Sequence, residues 1–285
     1  LFVAASMQRM LDDFAALLAA VAATPDARLA SLFVGAASPH RPGLEQIALL
    51  RQAGEGTLAT AFAAQLQRHA DATAVSASAV AGSSGVEWSY AALDQRARAV
   101  AAALMQRGVQ PGACVGLWFN QGAGQVAAML GVLQAGAAYV PLDPLAPAAR
   151  LDLIVRDAGL RVVVAERAAL REGQAGAGST WLGSSGLKMI LLDELPAASD
   201  ASLVLPAGSP DDPAYLLYTS GTTGTPKRVQ QTQRNVLHYV RSWADNLGLD
   251  SGDRLSLVST YGYDAAGPEI ADLEHERNTT EAGER

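Results

Sequence analysis

The stretch "YTSGTTGTPK", Tyr218 to Lys227, sets two glycines and five aliphatic hydroxyl side chains ahead of one lysine. Those residue types suit the holding of phosphate. Gly221 and Gly224 can take backbone angles closed to other residues and so let main-chain N–H groups approach an anion. Thr219, Ser220, Thr222, Thr223 and Thr225 add hydroxyl donors, and Lys227 adds charge. A charge-assisted hydrogen bond contributes about 1.5–3 kcal/mol, so a few of them suffice for a triphosphate. A surface Gly/Thr turn has the same composition and is the plain alternative. Spacing rules out two other chemistries. Only two residues separate Gly221 from Gly224, and Pro226-Lys227 follows a threonine, whereas a Walker-type loop needs a longer glycine spacing and a Lys-Ser/Thr pair. No G-x-S-x-G surrounds Ser220, which removes serine hydrolase chemistry.

Such a loop needs rigid elements on both sides. "AYLLYTS" reads as a strand, "GTTGTPK" as a turn and "QRNVLHYVRSWADNLG" as a helix, with Val236, Val240, Trp243 and Leu247 on one side and Gly248 to cap the end. The expected order is strand, glycine loop, helix. Upstream, "FAAQLQRHA" reads as helical. "WSYAALDQRARAVAAALMQRGV" is a helix capped by Ser89, with Leu93, Ala97, Val100 and Leu104 on one face and Gly108 at its end. "ACVGLWF" is a buried strand; a helix from Gln125 to Gln134 stops at Gly136; "AAYVPLDP" follows; "ARLDLIVRDAG" and "LRVVVAE" repeat the helix-then-strand order. The polar, glycine-rich "REGQAGAGSTWLGSSG", Arg171 to Gly186, predicts an exposed loop before the strand "LKMILLDEL". This alternation predicts an α/β fold, a mostly parallel sheet flanked by helices.

The chain as a whole narrows the partners. With 285 residues, a net charge of −7 and no local cluster of basic side chains, it has no expected nucleic-acid surface, and small molecules are the expected partners. The single cysteine, Cys114, excludes internal disulfides, reads as core filling and fits a reducing cytosol. His40, His69, His238 and His275 lack the spacing of a metal site, so no structural metal is expected. At the front, Met7, Met10, Leu11, Phe14, Leu17, Leu18 and Val21 recur at helical spacing, while Asp12 and Asp13 interrupt any membrane-length apolar run. This predicts an amphipathic helix and no membrane partner. "GAASPHRPGLEQ" and its surroundings, Gly35 to Gly56, read as a linker.

"YLLYTSGTTGTPK" resembles the phosphate-binding signature of the adenylate-forming (AMP-binding) enzymes, a superfamily of acyl-CoA synthetases, luciferases and nonribosomal peptide synthetase adenylation domains. "LQAGAAYVPLDPLAPAARLDLIVRDAGLRVVV" and "WSYAALDQRARAVAAALMQRGVQPG" are similar to stretches of the peptide synthetase adenylation domains, and "MLDDFAALLAAVAATPDARLASL" resembles the tail of a condensation domain. The resemblance implies a condensation-like tail at 1–34, a linker at 35–56, and at 57–266 part of the large N-terminal domain of the adenylate-forming fold. It further implies that ATP, with Mg2+, and an amino acid form an aminoacyl-adenylate and pyrophosphate. The acyl group would then pass to the phosphopantetheine thiol of a carrier domain, with condensation and carrier domains as neighbours. Thr219, Ser220, Gly221, Thr222, Thr223, Gly224 and Lys227 would hold the β- and γ-phosphates. In "TYGYDAA", Asp264 matches the aspartate that would pair with the substrate's α-amino group; by residue type alone a cap on the next helix is the plain alternative.

The chain departs from the family pattern in places. Arg228 stands where glycine is usual, either as a second cation near phosphate or pointing to solvent, and at positive φ it would cost about 1–2 kcal/mol. Gln233 stands where histidine is common. After Ala266, "GPEIADLEHERNTTEAGER" is polar and charged and reads as a divergent, disordered tail over 267–285. The family's ribose aspartate, adenine loop and catalytic lysine have no counterpart here, so no catalytic residue is assigned. The expectation is a fragment of a synthetase, inactive alone. A noncatalytic remnant with weak phosphate binding and an acyl-CoA ligase are the other readings.

Overall fold

The computed structural model describes residues 4–25, 56–77, 85–172, 177–196, 203–219, 226–247 and 254–255. The chain divides into two compact units, residues 1–52 and 53–285. In the first, helix α1 (Ala4–Ala23) forms where the apolar spacing requires it. Leu11, Phe14, Leu17, Leu18 and Val21 are 40% to 59% exposed. Among the described residues no helix is long and apolar enough to cross a membrane.

The second unit begins with α2 (Leu58–His69), whose first turn is closed by a reciprocal cap between Thr57 and Thr60. Strands β1 (Thr73–Ala77) and β2 (Val86–Ser89) pair antiparallel as a small separate sheet. Ser89 then caps α3 (Tyr90–Gln106) by accepting from the Ala92 N–H at 3.2 Å, and Leu93, Ala97, Val100 and Leu104 are fully buried. Gly108 ends the helix at φ 76°, a left-handed angle that a side chain would resist. From there the chain alternates: β3 (Cys114–Trp118), α4 (Ala123–Gln134), β4 (Ala138–Pro141), α5 (Ala148–Asp157), β5 (Val162–Ala165), α6 (Arg167–Glu172), α7 (Ala177–Ser184), β6 (Lys188–Leu191), β7 (Pro213–Thr219), β8 (Lys227–Thr232) and α8 (Gln233–Leu247).

Strands β3 to β8 form one six-stranded sheet in the order β6-β5-β3-β4-β7-β8, parallel throughout except for the antiparallel pair β7 and β8. The fold is therefore the expected α/β arrangement. Val115, Leu117, Tyr139, Val164, Tyr215 and Leu217 pack on one face with α3, α4 and α8. Trp118, Val140, Val163, Leu216 and Tyr218 pack on the other, against Leu151 and Ile154 of α5 and Trp181 and Leu182 of α7. Helix α4 is buried at every position, and apart from Gln125 and Gln134 its residues are apolar or glycine. At Gly131 a Cβ would come within 2.5 Å of the Ala97 carbonyl oxygen, so only glycine lets α4 approach α3 this closely.

Two expectations are corrected. The stretch from Arg171 to Gly186 was expected to be an exposed loop, yet it contains α7, with Trp181 and Leu182 only 7% and 6% exposed. Trp181 lies 5.9 Å from the Trp118 ring and donates from Nε1 to Asp152 Oδ1 at 2.6 Å. These partners lie far away in sequence, and they outweigh the loop-like composition of the surrounding residues. The second correction concerns the glycine loop, which leads into an edge strand before the helix. Lys227 to Thr232 pair with β7, supplying the backbone hydrogen bonds that a polar segment next to an unpaired strand edge requires.

Candidate functional site

Of the candidate phosphate residues, Thr219 and Lys227 lie within the described residues, at the end of the paired strands β7 and β8. Strand β7 is apolar because helices cover both faces of the sheet in which it lies; its last residue, Thr219, emerges into solvent. Across the hairpin Thr219 pairs in register with Lys227, and Tyr218 pairs with Arg228. Because side chains alternate along a strand, Thr219 and Lys227 share one face and Tyr218 and Arg228 the other. A hydroxyl and an ammonium thus stand side by side where the connecting loop begins and ends. Lys227 is exposed, and no carboxylate among the described residues pairs with it. Ser220, Gly221, Thr222, Thr223 and Gly224, with Thr225, lie outside the described residues, as does Asp264.

Arg228 is drawn away from that face. Its Nη1 lies 3.9 Å from Asp157 Oδ2, and the two side chains are about half exposed. Of the two expectations, the exposed side chain agrees with the structure, with Asp157 as a neighbour that neither expectation included. No described residue other than glycine has a positive φ, so Arg228 carries no backbone strain. Gln233, 4% exposed, accepts from the Leu58 N–H at 3.1 Å and so joins the start of α8 to the start of α2.

Behind the site, α5 supplies two polar contacts to one residue of β7. Arg150 Nη2 donates to the Tyr218 carbonyl oxygen at 2.9 Å, and the Tyr218 hydroxyl donates to Asp157 Oδ2 at 2.6 Å. Burial, and then the bond to Asp157, pushes the Tyr218 phenol well above its ordinary range, so it stays a proton donor. Burial likewise pushes the Cys114 thiol up, partly opposed by Arg228. The sequence reading did not pick out Arg150 or Asp157. The available signal was their spacing, about two helical turns, which sets both on the edge of the Leu151 and Ile154 stripe.

Comparison with known proteins bears on what this hairpin belongs to. A family model described as AMP-binding enzyme matches residues 62–270, more than half of the chain. The chain belongs to the AMP-binding enzyme family. Gramicidin S synthase 2 of Brevibacillus brevis is 34% identical over 62% of this chain and 4% of its own length. Tyrocidine synthase 3 of Brevibacillus parabrevis is 35% identical over 73% of this chain and 3% of its own length. This AMP-binding chain therefore spans only a small part of the length of these relatives. Among solved structures, the nonribosomal peptide synthetase FmoA3 superposes with a TM-score of 0.65 at 31% identity, over 80% of this chain and 23% of that one. Its AMPPNP-bound form gives 0.64 at 28% identity, over 96% and 28%. The fatty acid AMP ligase from Legionella pneumophila, at 21% identity and a TM-score of 0.66 over 76% of this chain and 38% of that one, shares the fold of this family member.

Among the described residues no group of carboxylates, histidines and cysteine could hold a metal ion. The donors present at the hairpin, a hydroxyl and an ammonium, suit phosphate oxygens; a lysine is no ligand for magnesium.

Proposed function

We propose that this chain is the phosphate-binding part of an amino-acid-activating adenylation domain of a nonribosomal peptide synthetase. The substrate carboxylate attacks the α-phosphorus of ATP, the bond to the bridging oxygen of the β-phosphate breaks, and aminoacyl-adenylate and pyrophosphate result. Thr219, Ser220, Gly221, Thr222, Thr223, Gly224 and Lys227 hold the β- and γ-phosphates, which Mg2+ accompanies. Fixed amides and a lysine suit the charge that grows on the departing pyrophosphate, because they need no reorganisation during the step. Asp264 pairs with the α-amino group of the amino acid. The observation that carries this reading is the register of Thr219 against Lys227 at the exposed end of the hairpin, in a chain of the AMP-binding family.

In the whole synthetase, a cytoplasmic protein, residues 1–34 close a condensation domain, 35–56 link it to the adenylation domain, and the acyl group passes to the phosphopantetheine thiol of a carrier domain. The similarity to the gramicidin S and tyrocidine synthases and to FmoA3, whose solved forms include one with AMPPNP and one with α-methyl-L-serine-AMP, supports the nucleotide and the amino acid substrate. Calorimetry of the folded chain with Mg-ATP tests the binding step: heat on mixing is expected, and its absence overturns the site. For the synthetase, exchange of pyrophosphate into ATP should depend on an amino acid. Hydroxamate formation with acids that lack an amine, and with no amino acid, would instead identify an acyl-CoA ligase.

A further inference from the structure

We propose that α5 is a positioning element for the phosphate loop, acting through Tyr218, with Arg150 and Asp157 as its two contacts. The inference rests on the phosphate-site reading above. Tyr218 is 5% exposed and immediately precedes Thr219, the first residue of the candidate site. Its two polar groups are both held by one helix: the carbonyl oxygen by Arg150 Nη2 at 2.9 Å and the hydroxyl by Asp157 Oδ2 at 2.6 Å. The Tyr218 carbonyl and the Thr219 N–H belong to the same planar peptide unit. Fixing the oxygen therefore fixes the orientation of that peptide unit, the one through which β7 enters the site at Thr219. Asp157 also attracts Arg228, which lies opposite Tyr218 on the strand that leaves the loop. A single carboxylate thus contacts both strands at the base of the loop.

None of these side chains shares the face of Thr219 and Lys227. Arg150, Asp157 and Arg228 are positioning residues, and they touch no phosphate themselves. Their effect is to hold the two strand ends that carry Thr219 and Lys227 in place before the ligand arrives, which lowers the ordering cost on binding.

The test is calorimetry of the full chain with Mg-ATP and with inorganic pyrophosphate, at a temperature well below the melting point of every variant. Arg150→Met is expected to weaken both ligands about tenfold and Arg150→Lys to restore most of that loss. Tyr218→Phe, which removes the hydroxyl alone, is expected to weaken them about fivefold. A contact that served stability alone would lower the melting temperature and leave both affinities unchanged; that result overturns the inference. Should Arg150→Met not fold, Asp157→Asn keeps an acceptor for the phenol and drops the attraction to Arg228. A weakening of about two- to threefold supports the inference, and wild-type affinity overturns it. If the unmodified chain binds neither ligand, the phosphate-site reading fails first and this inference with it.

Discussion

Strands β7 and β8 are hydrogen-bonded along their length and joined by one loop, yet one belongs to the core and the other to the surface. From Ala214 to Tyr218 every residue of β7 is buried, while Lys227 to Gln230 of β8 are exposed. A strand flanked on both sides, in a sheet covered on both faces, has to be apolar. An edge strand needs only one backbone partner and tolerates polar side chains. The candidate phosphate loop is therefore held by a rigid root and a permissive one. The lysine stands on the permissive root, exposed, where packing hardly constrains it.

This contrast can be broken most directly at a cross-strand pair, Leu216 opposite Gln230. Leu216 is 1% exposed, and Leu216→Ala should destabilise the second unit by about 2–5 kcal/mol, read as a fall in denaturation midpoint. Gln230→Ala on the facing strand should stay within about 0.5 kcal/mol. Equal losses at the two positions would remove the distinction between the roots. On the permissive root, Lys227→Ala should weaken Mg-ATP binding about tenfold in calorimetry while leaving the melting curve in place. A fall in melting temperature there would show that the lysine serves the fold.

Smaller effects sharpen the same comparison. Trp181→Phe keeps an aromatic ring beside Trp118 but loses the bond to Asp152, and should cost about 1 kcal/mol by chemical denaturation. The smallest effect is expected at the far end of the hairpin, where Arg234 of α8 grips Asp211, ahead of β7, through two bonds at 3.0 and 3.2 Å. The hydrogen bond from Arg234, and then its charge, hold the Asp211 carboxyl below the usual carboxylate range. A folded value below the unfolded one makes a contribution that is present above the unfolded value and lost as pH falls through the folded value. Asp211→Asn should therefore melt slightly earlier than the parent at neutral pH. The two melting curves should converge in acid, once Asp211 is protonated in the folded parent as well.

Legibility in the sequence followed the range of the interactions. Helix α3 was readable to its ends because its cap at Ser89, its buried face and its stop at Gly108 all lie within the segment itself. Strands β3, β4, β5 and β7 were readable as short apolar runs. In the candidate site, Thr219 and Lys227 stood out by type and spacing, but their facing register did not, because it depends on the pairing of two strands. Arg150 and Asp157 passed unnoticed: two charged residues on a surface helix look like solvated side chains until a buried tyrosine is set against them.

The amino-acid order by itself determined the α/β class, the alternation of helices with strands, the family and the residues at the loop. Those properties rest on local periodicity, capping and a contiguous motif. Only the tertiary structure decided that Lys227 to Thr232 form an edge strand, that Trp181 is buried in a helix, and that Arg228 turns to Asp157 and away from the face of Lys227. Each depends on a partner far along the chain. An edge strand exists because another strand offers unpaired backbone, and a side chain in a polar segment is buried because distant residues leave a space of its shape.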